Sequence, residues 1–196
     1  MGYLKSKATH GFWDMEIFSI VTPVLQPCEN LKDFMNEGNI IQYICTKVSV
    51  HEESARVPMI IKVPGKKPAV CHSFTELIDL YPTVAELAGL DYSEHLQGKS
   101  LVKTLDDPSY EVRDQAFSVT QGGKTFLIRT DKWAYIQYNE DGSAGMELFD
   151  MEYDPKQYNN LAHNPLYADI VVKMQTKLQE KLTEVRNNDL GIVYKE

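Results

Sequence analysis

The run Gln115-Ala116-Phe117-Ser118-Val119-Thr120-Gln121-Gly122-Gly123-Lys124-Thr125-Phe126-Leu127-Ile128-Arg129-Thr130-Asp131-Lys132-Trp133-Ala134-Tyr135-Ile136-Gln137-Tyr138 decides the fold of the second half of the chain. Its periodicity is two, the repeat of a strand whose alternate side chains point to opposite faces. Ala116–Thr120, Thr125–Arg129 and Trp133–Tyr138 read as strands, and Met146–Asp150 repeats the pattern. Gly122-Gly123, Thr130-Asp131-Lys132 and Glu140-Asp141-Gly142 separate them with hairpin-turn chemistry. Strands linked only by hairpins make a small antiparallel sheet.

Downstream, residues 151–164 read as a loop containing Asp154-Pro155 and Asn159-Asn160. From Pro165 to about Val185 the spacing is helical, with Tyr167, Ile170, Val171, Met174, Leu178 and Leu182 on one face. A helix with one apolar face beside a sheet most simply covers that sheet. The last residues are expected to fray.

Upstream, residues 89–115 form a polar connection, with a short helix near Ser100–Leu105 and a turn at Asp106-Asp107-Pro108. Ser73 to Ala88 reads as a helix. Ser73 is its N-cap, Glu76 completes a capping box, and Gly89 ends it. Leu77, Leu80, Tyr81, Val84, Leu87 and Ala88 give it an apolar face, while Pro82 either kinks it or opens a second piece. Val57 to Val63, stopped by Pro64-Gly65, reads as a buried strand of the kind found in sheets covered on both faces. Lys47, His51, Glu52, Glu53 and Arg56 precede it, at the strand-end position where α/β folds collect their chemistry. A solvated loop with one ion pair is the plainer reading of the same residues. Ile40 to Ile44 looks like a short strand, but residues 16–46 as a whole show no period. The chain thus divides into 1–46, irregular and with an insertion, then 47–110, an α/β piece, then 111–196, the antiparallel sheet and helix.

Composition narrows the function. The 196 residues carry a net charge of −8 without a basic stripe, which argues against nucleic acid or an anionic membrane as partner. Cys28, Cys45 and Cys71 lack CxxC spacing, so they read as small buried thiols, neither a disulfide framework nor a zinc site. No apolar run has the length of a membrane span, and residues 1–14 do not read as a secretory signal.

Four ordered motifs resemble the sulfatase family, and its iduronate-2-sulfatase-like branch in particular. Lys47 to Pro58 reads K-x-x-x-x-E-E-S-A-R-V-P. Glu76 to Gly89 contains Asp79-Leu80-Tyr81-Pro82-Thr83, similar to a D-L-x-P-T helix. Leu96-Gln97-Gly98-Lys99-Ser100-Leu101 resembles a G-x-S-L segment. Glu147-Leu148-Phe149-Asp150, Asp154-Pro155 and Asn159-Asn160-Leu161-Ala162 resemble the family's ending. The resemblance implies a partial sulfatase/alkaline-phosphatase-like α/β core, followed by a four-stranded antiparallel sheet packed on a C-terminal helix.

It also implies a chemistry. Family members hydrolyse sulfate esters with a formylglycine made from the cysteine of a C-x-P-S-R motif, beside a calcium ion held by oxygen ligands. They are often secreted, periplasmic or lysosomal. This chain contains neither C-x-P-S-R nor the Asp-Asp metal pair that precedes it in the family. The expectation is therefore the C-terminal part of a sulfuric ester hydrolase, inactive alone and holding no calcium alone. Its partners would be a sulfated small molecule or glycan in the intact enzyme, or a separate chain carrying the catalytic core. By resemblance, Lys47 is a cation for a sulfate oxygen and His10 a neighbour of sulfate or metal. Lys124 and Arg129 lie on the hairpin that approaches the substrate pocket in the family. Arg56 would clamp Glu52 or Glu53, and His51, at a position usually aromatic, would pack. His10-Gly11-Phe12-Trp13-Asp14-Met15 matches H-G-x-W-x-K with Met15 for lysine if residues 16–46 are an insertion. Alternatively Thr9-His10-Gly11 matches D-H-G with Thr9 replacing a ligand. Two other functions remain open: a non-catalytic interaction or glycan-binding module, and a phosphatase or phosphodiesterase of the same superfamily.

Overall fold

The computed structural model describes the backbone of residues 16–18 and the whole of residues 49–187. His10, Lys47 and the expected strand at 40–44 lie outside the described residues. A four-stranded antiparallel sheet dominates: β3 (Gln115–Thr120), β4 (Thr125–Thr130), β5 (Trp133–Tyr138) and β6 (Met146–Asp150), in the order β3-β4-β5-β6. Register follows the turns. Thr120 faces Thr125 across the Gln121–Lys124 turn, Arg129 faces Ala134, and Gln137 faces Met146. The strand bounds match those read from the two-residue period to within one residue.

The C-terminal helix α4 (Ala168–Arg186), entered through a 3-10 turn at Pro165–Tyr167, covers one face of this sheet. The Asn164 side chain caps that turn by accepting from the Leu166 N–H at 3.1 Å. Phe126, Ile128, Tyr135 and Leu148 from the sheet meet Val171, Met174, Leu178 and Leu182 from α4 in one core. Ile128, Tyr135, Leu148 and Leu178 are fully buried, each contributing about 1.5–3 kcal/mol of transfer free energy. The opposite face carries Leu127, Ala134, Ile136, Phe149 and Met151, and these close over Val50 in a second core.

Groups on both outer edges of the sheet find partners outside it. The Asn160 Oδ1 accepts the Leu148 N–H at 3.1 Å, its Nδ2 donates to the Met146 carbonyl at 3.2 Å, and the Leu161 N–H donates to the Leu148 carbonyl at 2.8 Å. On the β3 edge the Glu76 Oε1 accepts the Phe117 N–H at 2.9 Å. Edge groups satisfied this way are poor templates for further strands.

The upstream region departs from its sequence reading. The helix does not start at Ser73. A 3-10 turn at Leu77–Asp79 leads into α2 (Leu80–Leu87), and the capping box pairs Glu76 with Asp79. Ser73 instead accepts the Val112 N–H at 2.7 Å. Pro82 sits in the first turn of α2, where its missing N–H has no helical partner to lose, so no kink is needed. Gly89, at φ +66°, ends the helix, with the Leu90 N–H on the Ala85 carbonyl at 2.9 Å and its own N–H on Glu86 at 3.0 Å. The buried residues are Asp79, Pro82, Thr83 and Ala85, while Leu77, Ile78 and Tyr81 are exposed. The short helix α3 is Val102–Asp106.

Strand β2 is Ile60–Lys62, shorter than expected and not buried: Ile60 is 50% exposed. It pairs antiparallel with β1 (Glu16–Phe18), Ile17 opposite Ile61. Cys71 is half-buried rather than enclosed. A cleft of about 590 Å³ lies beside β2, lined among others by Ile61, Val63, Cys71, Thr104 and Leu105.

Candidate functional site

The quoted motifs meet in two side-chain constellations. The first is built on Asp79, which is fully buried at the junction of the 3-10 turn and α2. Arg113 grips it bidentately, Nη1 to Oδ2 at 2.5 Å and Nη2 to Oδ1 at 2.7 Å, with Glu76 at 3.6 Å. The same carboxylate accepts the Glu76 N–H at 2.7 Å and the Lys99 N–H at 2.8 Å. One turn on, Thr83 donates its hydroxyl to the Asp79 carbonyl at 2.5 Å and accepts the Leu101 N–H at 2.9 Å. Burial works against the Arg113 charge, but its hydrogen bonds to Asp79 and the nearby Glu76 carboxylate outweigh that and raise its pKa further. Gly98 is obligatory here, because a Cβ would stand 2.1 Å from the Ile78 carbonyl oxygen. The D-L-Y-P-T and G-K-S-L motifs therefore clasp each other: one supplies the side chains, the other the N–H groups.

The second constellation lies on the sheet face that α4 leaves free. Residues 49–56, including α1 (Glu52–Ala55), rest on it. Val50 enters the core, 3% exposed. The His51 Nε2 is 2.9 Å from Glu147 Oε2, and its Nδ1 is 2.7 Å from Ser49 Oγ. Tyr138 donates to Glu147 Oε1 at 3.2 Å. The His51 ring also tilts against Phe149, centroids 6.0 Å apart, so it packs as expected but carries a polar role besides. Glu52 receives Arg129 Nε at 3.2 Å, and its N–H donates to Gln157 Oε1 at 2.7 Å. Arg56 reaches Glu52 only at 3.6 Å and is 81% exposed, so the expected Arg56 clamp is replaced by Arg129.

Of the residues expected to touch substrate, Lys124 and Arg129 are among those described. Arg129 lies near the C-terminal end of β4, whereas Lys124 stands in the turn that precedes that strand. Arg129 is turned to Glu52 and, through Nη1, to the Thr130 carbonyl, whereas Lys124 is exposed in the hairpin.

Among the described residues no cluster of three or more His, Cys, Asp or Glu could hold a metal ion. The paired carboxylates Glu76 and Asp79 have their oxygens engaged by Arg113 and backbone N–H groups, which does not suit calcium.

The sequence reading missed Arg113 and gave Asp79, Thr83 and Glu147 no role of their own. A signal existed for Asp79 and Thr83. An acid and a hydroxyl four residues apart share a helical face, and that face proves to be the buried one. Nothing in the polar 89–115 stretch singled out Arg113.

Comparison with known proteins gives a consistent answer. A family model described as N-sulphoglucosamine sulphohydrolase, C-terminal, matches residues 43–186. Mouse arylsulfatase K is 30% identical over 147 residues, covering 68% of this chain and 26% of that protein. Among solved structures, a 2-O GAG sulfatase superposes with a TM-score of 0.60 at 26% identity, covering 74% of this chain and 34% of that one. A protein solved in complex with its substrate D-glucosamine-2-N,6-O-disulfate gives a TM-score of 0.58 at 26% identity, covering 72% and 31%. The finer resemblance to an iduronate-2-sulfatase-like branch is not confirmed by these matches.

Proposed function

This chain belongs to the N-sulphoglucosamine sulphohydrolase C-terminal family, and from that premise we propose that it forms the C-terminal subdomain of a sulfate ester hydrolase acting on sulfated glycans or amino sugars. The match over residues 43–186 carries this reading. The chain spans about a quarter of the length of mouse arylsulfatase K, 26%. On this proposal the subdomain shapes the substrate side of the enzyme and supplies Lys47 as a cation for a sulfate oxygen. The formylglycine nucleophile and the calcium ligands come from a catalytic core, whose oxygen-bound cation would polarise the sulfate. His10 is a further candidate neighbour of the sulfate, and Lys124 and Arg129 remain candidate substrate contacts from the β4 hairpin.

The exposed apolar side chains around α2 and β2, Ile60, Val70, Leu77, Ile78 and Tyr81, support the idea that this region is covered in the working enzyme. The test is direct. The purified chain with calcium should show no turnover of an aryl sulfate, and the same chain combined with a core carrying C-x-P-S-R should. Turnover by the chain alone would sink the subdomain reading. Activity of the combined enzyme that survives Lys47→Ala unchanged would remove Lys47 from the site.

A further inference from the structure

The contact between His51 and Glu147 has no part in the function proposed above, and it joins positions 96 residues apart. We propose that it is a proton-operated latch, which holds residues 49–56 more firmly on the free face of the sheet in acid than at neutral pH.

Geometry fixes the protons. An ionised Glu147 carboxylate can only accept, and beside it Nε2 of His51 carries the hydrogen. In the neutral ring Nδ1 then accepts from the Ser49 hydroxyl at 2.7 Å. Ser49 Oγ at the same time accepts the His51 backbone N–H at 3.1 Å. When the ring gains its second proton, Nδ1–H donates to Ser49 Oγ, which has a lone pair for each of the two donors. No hydrogen bond is lost in either state. What changes is the charge beside Glu147, turning a neutral hydrogen bond into a charge-assisted one.

The surrounding groups leave that carboxylate as the partner. From β6 the ring meets Glu147 and the apolar Phe149. From β5, Tyr138 donates to Glu147 and adds no charge. From β4, the Arg129 guanidinium is engaged by Glu52. From the 151–164 loop, Gln157 is neutral and binds the Glu52 N–H. Within the segment itself, Glu53 is exposed and Arg56 turns to Glu52. His51 and Glu147 are 18% and 24% exposed, so solvent reaches the pair and a proton can come and go.

Amide hydrogen exchange on the purified chain tests this, because it needs no catalytic activity and so fails or succeeds independently of the proposed function. After correction for intrinsic rates, protection of residues 50–56 should be about two- to fivefold greater at pH 5.5 than at pH 7.5. Glu147→Gln and His51→Phe should each flatten that ratio, while amides of Ile128 and Ile136 in the sheet stay unchanged. Wild-type protection that is equal at the two pH values, or lower in acid, overturns the latch. So does a ratio that survives Glu147→Gln. Should a variant lose sheet protection, the wild-type comparison decides alone.

Discussion

The regions 49–110 and 115–186 solve the same problem with opposite materials. In 115–186 a two-residue period and a helical period bring apolar faces together, and Ile128, Tyr135, Leu148 and Leu178 vanish from solvent. In 49–110 the fully buried residues include an aspartate and a threonine, while most of the large exposed hydrophobic side chains of the described residues lie there. Region 115–186 is held by apolar burial. Region 49–110 is held largely by side chains that satisfy backbone N–H groups at loop junctions. Apolar packing tolerates small losses, because each contact is a fraction of the total. A buried ion pair tolerates them poorly, because removing one partner strands the other.

The largest effect should therefore come from the polar region. Asp79→Ala leaves Arg113, 8% exposed, with only the more distant Glu76 carboxylate at 3.6 Å and strands the Glu76 and Lys99 N–H groups, and should cost about 3–5 kcal/mol in urea unfolding. Leu178→Ala in the α4 core should cost about 3 kcal/mol by the same measurement. A clearly reversed order would break the contrast. Asn160→Ala, which uncovers the β6 edge, should cost about 1–2 kcal/mol and raise the tendency to associate in light scattering.

The smallest effect belongs to the exposed pair of Glu140 and Arg186, 2.5 Å apart. The hydrogen bond and charge of Arg186 hold Glu140 below the usual glutamate range. Its contribution is thus full above that range and is lost as pH falls through the lowered value. Glu140→Gln should remove less than about 0.5 kcal/mol at neutral pH and flatten that acid dependence in thermal melts. A loss as large as that of Leu178→Ala would mean that the surface of this region, too, is held by charge.

The same contrast explains what the sequence made legible. Apolar periodicity is written in the order of residues, so β3 to β6 and α4 appear almost at their observed bounds. Polar clasps are not periodic. Arg113 finds Asp79 across 34 residues, and Ser73 finds Val112 across 39. Ser73 looked like a helix cap because a serine followed by Glu76 offers the right groups, yet Val112 competes for its hydroxyl. The apolar face read into α2 was real as a pattern, but the clasp turned its polar side inward. Lys124 and Arg129 do not share a strand face for a simpler reason: Lys124 stands in the turn before β4, and Arg129 inside the strand is turned to Glu52.

The contact of Val50 and His51 with the sheet has a consequence for how the chain assembles. Strands β3 to β6 are neighbours in sequence and pair in that order, so their loops are short and cost little entropy to close. Val50 and His51 must instead meet Phe149 and Glu147, almost a hundred positions away, and the part of the receiving surface that β6 supplies forms only when β6 has joined β5. Residues 49–56 are accordingly expected to dock late, on a platform that is largely built. Slow steps in refolding should report their docking, and weakening Val50 should quicken unfolding far more than it slows folding.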